Sequence, residues 1–481
     1  MAMKAVMEIK PSALCVRIVT AVLLVGMMQG AMLANAADTP LVLNHVFVID
    51  VASGAIQPDV AITIVGDRIV DIIPSAKLRA PKAARVIDAT GKFVIPGLWD
   101  MHVHTIFGDW LPKNEKIILP LFVANGVTGV RDMGGDLDEL KFWRTQIAAG
   151  KLLGPRMVIS GPMLDGPVPR FPSSAPIKNA SDGKQIVDQL QRSGADFIKI
   201  QSLIPRDGYF AAAEEAKKLG IPFAGHVPDA VRASEASNAG QRSIEHLTGI
   251  FEGCSTVEDQ LLQGPKSPGR FVDTYDPARA KALIALLAKN QTWQVPTLVW
   301  EHGQWLIDKS DFSKDPLTKY APAAWKDRTW PMFTKDILKD MDTDPLPVRE
   351  RFTQMELEIV NQMHQAGVPF LAGTDTAAGV HVFPGFSLHA ELAYFVKAGF
   401  TPLEALQTAT SNPAQFIGKS GDLGSVERGK IADLVLLNDD PLKEIHNTQK
   451  IFAVILAGRY LSREQLDDLL HDVEMAASVG N

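Results

Sequence analysis

The stretch "VIPGLWDMHVHT", residues 94–105, ends an apolar run with two histidines flanking one valine. Side chains alternate along a strand, so His102 and His104 share one side while Val103 takes the other. Two imidazoles so placed can grip one divalent cation. Two surface histidines in a turn would look the same over three residues, so the rest of the chain must decide.

Downstream of this stretch the chain alternates short apolar segments with amphipathic ones. "GVTGVRDM", "RMVISGPM", "DFIKIQ", "PFAGHVP", "RSIEHLTG", "WQVPTLVW" and "VPFLAGTDT" each precede helix-compatible sequence. One such stretch, "GYFAAAEEAKKLG", carries alanines and charges at helical spacing and ends at Gly220. Counting the opening motif, eight β/α units in a row predict an α/β fold, a (β/α)8 TIM-type barrel over 94–420. Residues 37–93 and 421–465 alternate with Gly and Asp punctuation, which predicts antiparallel strands and one small β-sandwich domain built from both termini. A tail, 466–481, follows. The Pro-rich 164–180 and the Trp-, Asp-, Lys- and Pro-rich 301–350 interrupt the repeat and are expected over the face where barrel loops bind substrate.

Further polar residues fall at strand ends. Lys199 lies between Ile198 and Ile200, a charge in an apolar strand, where burial needs compensation. His226 ends "PFAGH", His246 ends "RSIEH", and Asp375 ends "LAGTD". A lone histidine at a strand end is more often a hydrogen-bonded core residue, and a lone lysine can reach solvent or a carboxylate. Five separate strand ends would need such explanations at once. His102, His104, Lys199, His226, His246 and Asp375 together read as a metal site.

These motifs closely resemble the amidohydrolase superfamily. "PGLWDMHVHT", "FIKI", "AGHV", "SIEHLTG", "LAGTDT" and "GSVERGKIADLVLLNDDPLKEI" carry the likeness from about Leu41 to Leu461, and residues 384–414 resemble the imidazolonepropionase-like and Xaa-Pro dipeptidase-like branch. The resemblance implies that His102, His104 and Asp375 hold one divalent metal and His226 and His246 a second. It implies that Lys199 is carboxylated on Nζ and bridges both ions. Zinc is the expected metal; manganese, iron and cobalt suit the same donors. A hydroxide between two cations would be the nucleophile, with Asp375 as catalytic base. Lys199 argues against the mononuclear deaminases.

The expected reaction is hydrolysis of an amide in a peptide or N-acyl amino acid. Ester, lactone or phosphoester hydrolysis would use the same cage, and a non-catalytic periplasmic binding protein is the remote alternative. "GHVPDA", with Val227 and Pro228, departs from peptide-cleaving relatives, as does Gln201 after "FIKI". Arg170 and His381 are candidate substrate contacts. Arg131 is expected to pair with a structural carboxylate near the second strand, and His389 to be structural.

The remaining features bound the setting. Among 481 residues, 46% are hydrophobic and 21% charged, with net charge −7, an ordinary globular balance that gives no footing for nucleic acid. Lys4, Lys10 and Arg17 precede "IVTAVLLVGMM" and "AMLANA", which reads as an export signal over 1–36 and a periplasmic or secreted protein. No stable membrane insertion is expected once that signal is removed. The only cysteine beyond it is Cys254, so no internal disulfide is expected. A small-molecule substrate is the expected partner, and a homo-oligomer is compatible with the sequence.

Overall fold

The structure is a computed structural model and describes residues 39–106, 114–171, 174–309, 314–341 and 344–479. The expected signal segment lies outside the described residues.

The chain opens with five strands: β1 (Leu41–Ile49), β2 (Ile56–Val65), β3 (Arg68–Pro74), β4 (Arg85–Asp88) and β5 (Phe93–Pro96). The middle carries β6 (Leu98–Val103), β7 (Val127–Asp132), β8 (Arg156–Ile159), β9 (Met163–Asp165), β10 (Ser174–Pro176), β11 (Ile198–Ile200), β12 (Phe223–Gly225), β13 (Ser243–Glu245) and β14 (Trp293–Val295). β15 (Leu434–Leu437), β16 (Ile451–Leu456) and β17 (Arg459–Ser462) return to the first sheet.

The two ends, expected to build one small β-sandwich, join in one hydrogen-bonded sheet, β17-β16-β15-β5-β1-β2-β3, with β4 on β1. It curls until Arg68 bridges Ile431, so that Ile62 and Ile64 share a core with Leu434, Leu436 and Ile455. Alternation then gives the other face away: Ile95, Val435 and Leu437 join the large central core. The helix Arg463–Ser478 takes up most of the C-terminal tail and buries Val473 and Ala477 with Ile117 and Leu121.

The middle strands pair in parallel, as β6-β7-β8 and as β10-β9-β11-β12-β13-β14. Helices between them carry legible stops and starts. Arg206–Leu219 ends at Gly220 with φ 67°, and Pro277–Asn290 starts with Asp276 capping Ala278 N and proline at the first position.

The eighth expected strand is not a regular one. Among residues 368–376 only Phe370 and Thr376 form isolated bridges, to Gln294 and Val103. The backbone still joins the two sheets: Leu371 N donates to Gln294 O at 2.9 Å, and Met101 N to Ala372 O at 2.8 Å. Between the two bridges Asp375 turns left-handed at φ 54°. Gly373 makes the close approach feasible, since a Cβ there would stand 2.7 Å from His102 Cβ and 2.6 Å from Val295 Cγ1.

The interruption at 301–350 is largely helical. Leu298–Trp305, Trp330–Met341 and the start of Leu346–Gln365 occupy it, and Trp305, Phe333 and Phe352 from these helices line a cavity over the C-terminal ends of the middle strands.

Candidate metal centre

Four imidazoles meet where strands β6, β12 and β13 end. His102 and His104 come from β6 and the residue just past it, while His226 and His246 directly follow β12 and β13. Ring centroids lie 5.5 Å apart for His102–His104, 4.5 Å for His102–His246 and 4.9 Å for His226–His246. Asp375 sits among them, with Oδ1 3.3 Å from Nε2 of both His102 and His104 and Oδ2 3.9 Å from His246 Nε2. His102, His104 and Asp375 offer ligand atoms within 4.8 Å of one another, the geometry of a three-donor metal site.

Each ring is turned by its other nitrogen. His104 Nδ1 faces Gly134 O at 3.0 Å and His102 Nδ1 faces Glu245 Oε2 at 2.8 Å, and both partners are acceptors. His246 Nδ1 lies 2.7 Å from Thr297 Oγ1, whose own proton goes to Pro296 O. His226 Nδ1 lies 2.8 Å from Ser202 Oγ, which also stands 3.3 Å from Gln201 Oε1. All four rings therefore have Nδ1 engaged by a polar partner, and Nε2 of His102, His104 and His246 faces Asp375, as in metal-binding histidines. Burial, together with neighbouring cationic groups, holds His226 and His246 well below the usual histidine range, which keeps them neutral.

Lys199 is fully buried in β11, and its Nζ has no hydrogen-bond partner. Burial lowers its pKa to about 8 against the pull of Glu245 and Asp375. Gly225 leaves it room: a Cβ there would come 3.0 Å from Lys199 Cδ and clash with Ile200 O at 2.2 Å. His102 Nε2 and Asp375 Oδ1 are likewise buried without a hydrogen-bond partner. Burying such atoms costs free energy unless something completes them. Asp375 ionises well below the usual range: burial opposes this, but the His102, His104 and His246 rings outweigh it.

A shell of which the sequence singled out only Arg131 fixes these ligands. Arg131 reaches Met101 O, Ser243 Oγ and both oxygens of Glu245, at 2.9 and 3.0 Å for the carboxylate. Arg131, on β7, thus pairs with a buried structural carboxylate, Glu245 of β13. The guanidinium and His102 hold Glu245 ionised despite complete burial. Asp100 accepts from Thr374 N at 3.1 Å and Thr374 Oγ1 at 2.7 Å, tying the segment before Asp375 to β6. Burial raises Asp100 to about 7. The one signal for Glu245 was an acid inside "SIEH", next to a ligand candidate.

A cavity of about 450 Å³ opens over the cluster. His104, His226, His246 and Asp375 form its floor, and Arg170 and Gln201 also line it. His381 does not; it stacks on Trp330 at 4.3 Å beside a separate depression. His389 bonds Thr448 Oγ1 and Asn125 O deep in the core. Cys254 is a buried free thiol.

The amidohydrolase family model matches residues 93–461. Imidazolonepropionase of Shouchella clausii (strain KSM-K16) is 22% identical over 408 residues, covering 78% of either chain. Among solved structures, a bottromycin amidohydrolase superposes with TM-score 0.71 at 24% identity, covering 91% of either chain. A Xaa-Pro dipeptidase with methionine bound in its active site gives TM-score 0.65 at 23% identity, over 88% of this chain and all of that one. These neighbours imply a TIM-type barrel with an additional domain. With its His/His/Asp group and a match over most of its length, the chain belongs to the amidohydrolase family, metal-dependent hydrolases acting on C–N bonds.

Proposed function

We propose that this protein is an exported binuclear metal-dependent hydrolase that cleaves an amide bond at the mouth of a (β/α)8 barrel. The observation that carries the reading is the set of four rings with Nδ1 engaged, three of them with Nε2 facing Asp375, beside a buried Lys199 whose Nζ has no hydrogen-bond partner. His102, His104 and Asp375 would hold one ion, His226 and His246 the second, and carboxylated Lys199 both. Carboxylation joins Nζ to carbon dioxide with loss of a proton, turning a stranded amine into an anionic oxygen donor. The relatives that cleave or rearrange C–N bonds, including the bottromycin amidohydrolase and the dipeptidase, support the amide as substrate.

When bound, two divalent ions lower the pKa of water and polarise a carbonyl oxygen. Asp375 is positioned to take the proton of the attacking water and return it to the departing nitrogen. Glu245 holds His102 in its tautomer, and Asp100 fixes the turn that presents Asp375. Export rests on residues 1–36. Among the described residues, no helix is long and apolar enough to cross a membrane.

A panel of amides, esters, lactones and phosphoesters offered to the metal-loaded protein tests the assignment. Amide turnover is expected; turnover confined to the other bonds would replace it.

A further inference from the structure

The turn after β7 runs against His104. Met133 N donates to Val103 O at 2.8 Å, so the end of β7 stays beside the end of β6 past their last paired residues, Val103 and Asp132. Gly134 and Gly135 come next and leave no room for side chains. A Cβ on Gly134 would stand 3.2 Å from His104 Cε1 and 2.6 Å from Met163 Cγ, and one on Gly135 2.5 Å from Ile106 O. This close approach brings Gly134 O to 3.0 Å from His104 Nδ1.

Asp132, the last residue of β7, is fully buried at the centre of this approach. Its Oδ2 accepts from Thr105 N at 2.8 Å and from Thr105 Oγ1 at 2.5 Å, and its Oδ1 accepts from Gly134 N at 3.1 Å. One carboxyl group thus grips both features that set His104. Thr105 is the residue that follows it in the chain, and Gly134 supplies the carbonyl that engages its ring. Losing the side chain would strand two buried backbone N–H groups at once. The other acids beside the cluster serve different ligands: Glu245 turns His102, and Asp100 ties down Thr374 ahead of Asp375.

We propose that Asp132 is a positioning residue of the metal centre, which aims His104 at its ion by holding Thr105 and Gly134 together. This rests on the metal-dependent reading of the site and adds to it the group that orients one of its ligands. A working ligand must stay within about 0.5 Å of its productive place, and the bond between Nδ1 and Gly134 O keeps His104 there. Asparagine matches aspartate in shape but cannot do the same. Its NH2 must face either Thr105 or Gly134, both of which present N–H donors, so one flank of His104 is released.

The test is zinc affinity of the metal-free full chain, measured by competition with a chromophoric chelator. Asp132→Asn is expected to bind zinc about 10–100-fold more weakly, the usual effect of losing a ligand's orienting partner. Thr105→Val removes only the hydroxyl contact and is expected to cost about two- to tenfold, the worth of one hydrogen bond. Asp433→Asn is the control: Asp433 is also a buried carboxylate, but its partners are Arg156 Nε and Ala457 N. That variant should lose stability in chemical denaturation and keep wild-type zinc affinity. With cobalt(II) in place of zinc, the visible band should shift in Asp132→Asn and stay put in the control. Wild-type zinc affinity in Asp132→Asn would overturn the inference while leaving the metal centre standing, as would an equal loss in Asp433→Asn. Should Asp132→Asn fail to fold, Thr105→Val decides in its place, and wild-type affinity there would overturn the inference. Wild-type protein that takes up no zinc would overturn the metal-centre reading itself.

Discussion

His102 and Glu245 meet at 2.8 Å, and through Glu245 the imidazole is linked to a guanidinium, Arg131, that is itself fully buried. The link joins three strands, β6, β7 and β13, and sets the direction of one metal-facing nitrogen. Fold stability and site geometry are therefore coupled at this carboxylate.

Glu245→Gln keeps the shape of that side chain but removes its charge. Arg131 is then a buried cation without a counterion, a loss of about 3–5 kcal/mol in analogous broken pairs. Metal affinity should fall about 10–100-fold as His102 exchanges a charged acceptor for a neutral one. Chemical denaturation and metal titration check the two effects; a variant matching wild type in both would show that the link is dispensable.

Asp375→Asn is expected to retain much of the metal and lose about 10²–10⁴-fold in kcat, the usual contribution of a positioned general base. Single-turnover kinetics on metal-loaded protein reads this directly. An undiminished rate would remove Asp375 from proton transfer.

Lys199 offers a test tied to pH. Its amine, lowered to about 8 by burial, is largely neutral above that value and protonated below it, and only the neutral amine adds carbon dioxide. Reconstitution of metal-free protein should therefore accelerate with added bicarbonate and with rising pH through about 8. Lys199→Ala should lose the bridged pair of ions. Full metal content in that variant, or reconstitution indifferent to bicarbonate, would argue for an unmodified lysine.

Glu391 ties stability to pH away from the centre. Burial raises its carboxyl to about 8, with Val299 N donating to one oxygen at 2.8 Å. The folded state thus holds a proton that the unfolded chain releases near 4.5. Its contribution is complete below that value and is lost as pH rises toward 8. Glu391→Gln, which cannot ionise, should flatten the decline in melting temperature over this window. Equal slopes for variant and wild type would contradict the assignment.

The sequence placed the principal ligand candidates because strand ends are short, apolar and periodic, and polar residues there stand out. Lys199 between two isoleucines and the histidine pair around Val103 are of this kind. Glu245 escaped notice because it adjoins His246 and looks like one more charge at a strand end; its partners lie 114 and 143 positions away. The 370–376 segment reads as a strand by composition, yet the turn at Asp375 and the tight approach at Gly373 arise from tertiary contact with His102.

Elemental analysis of chelator-free protein, paired with amide hydrolysis before and after metal removal, tests the central claim most directly. Two divalent ions per chain are expected, with activity abolished by chelation and restored by zinc. Metal-free protein that hydrolyses the amide at the full rate would contradict it.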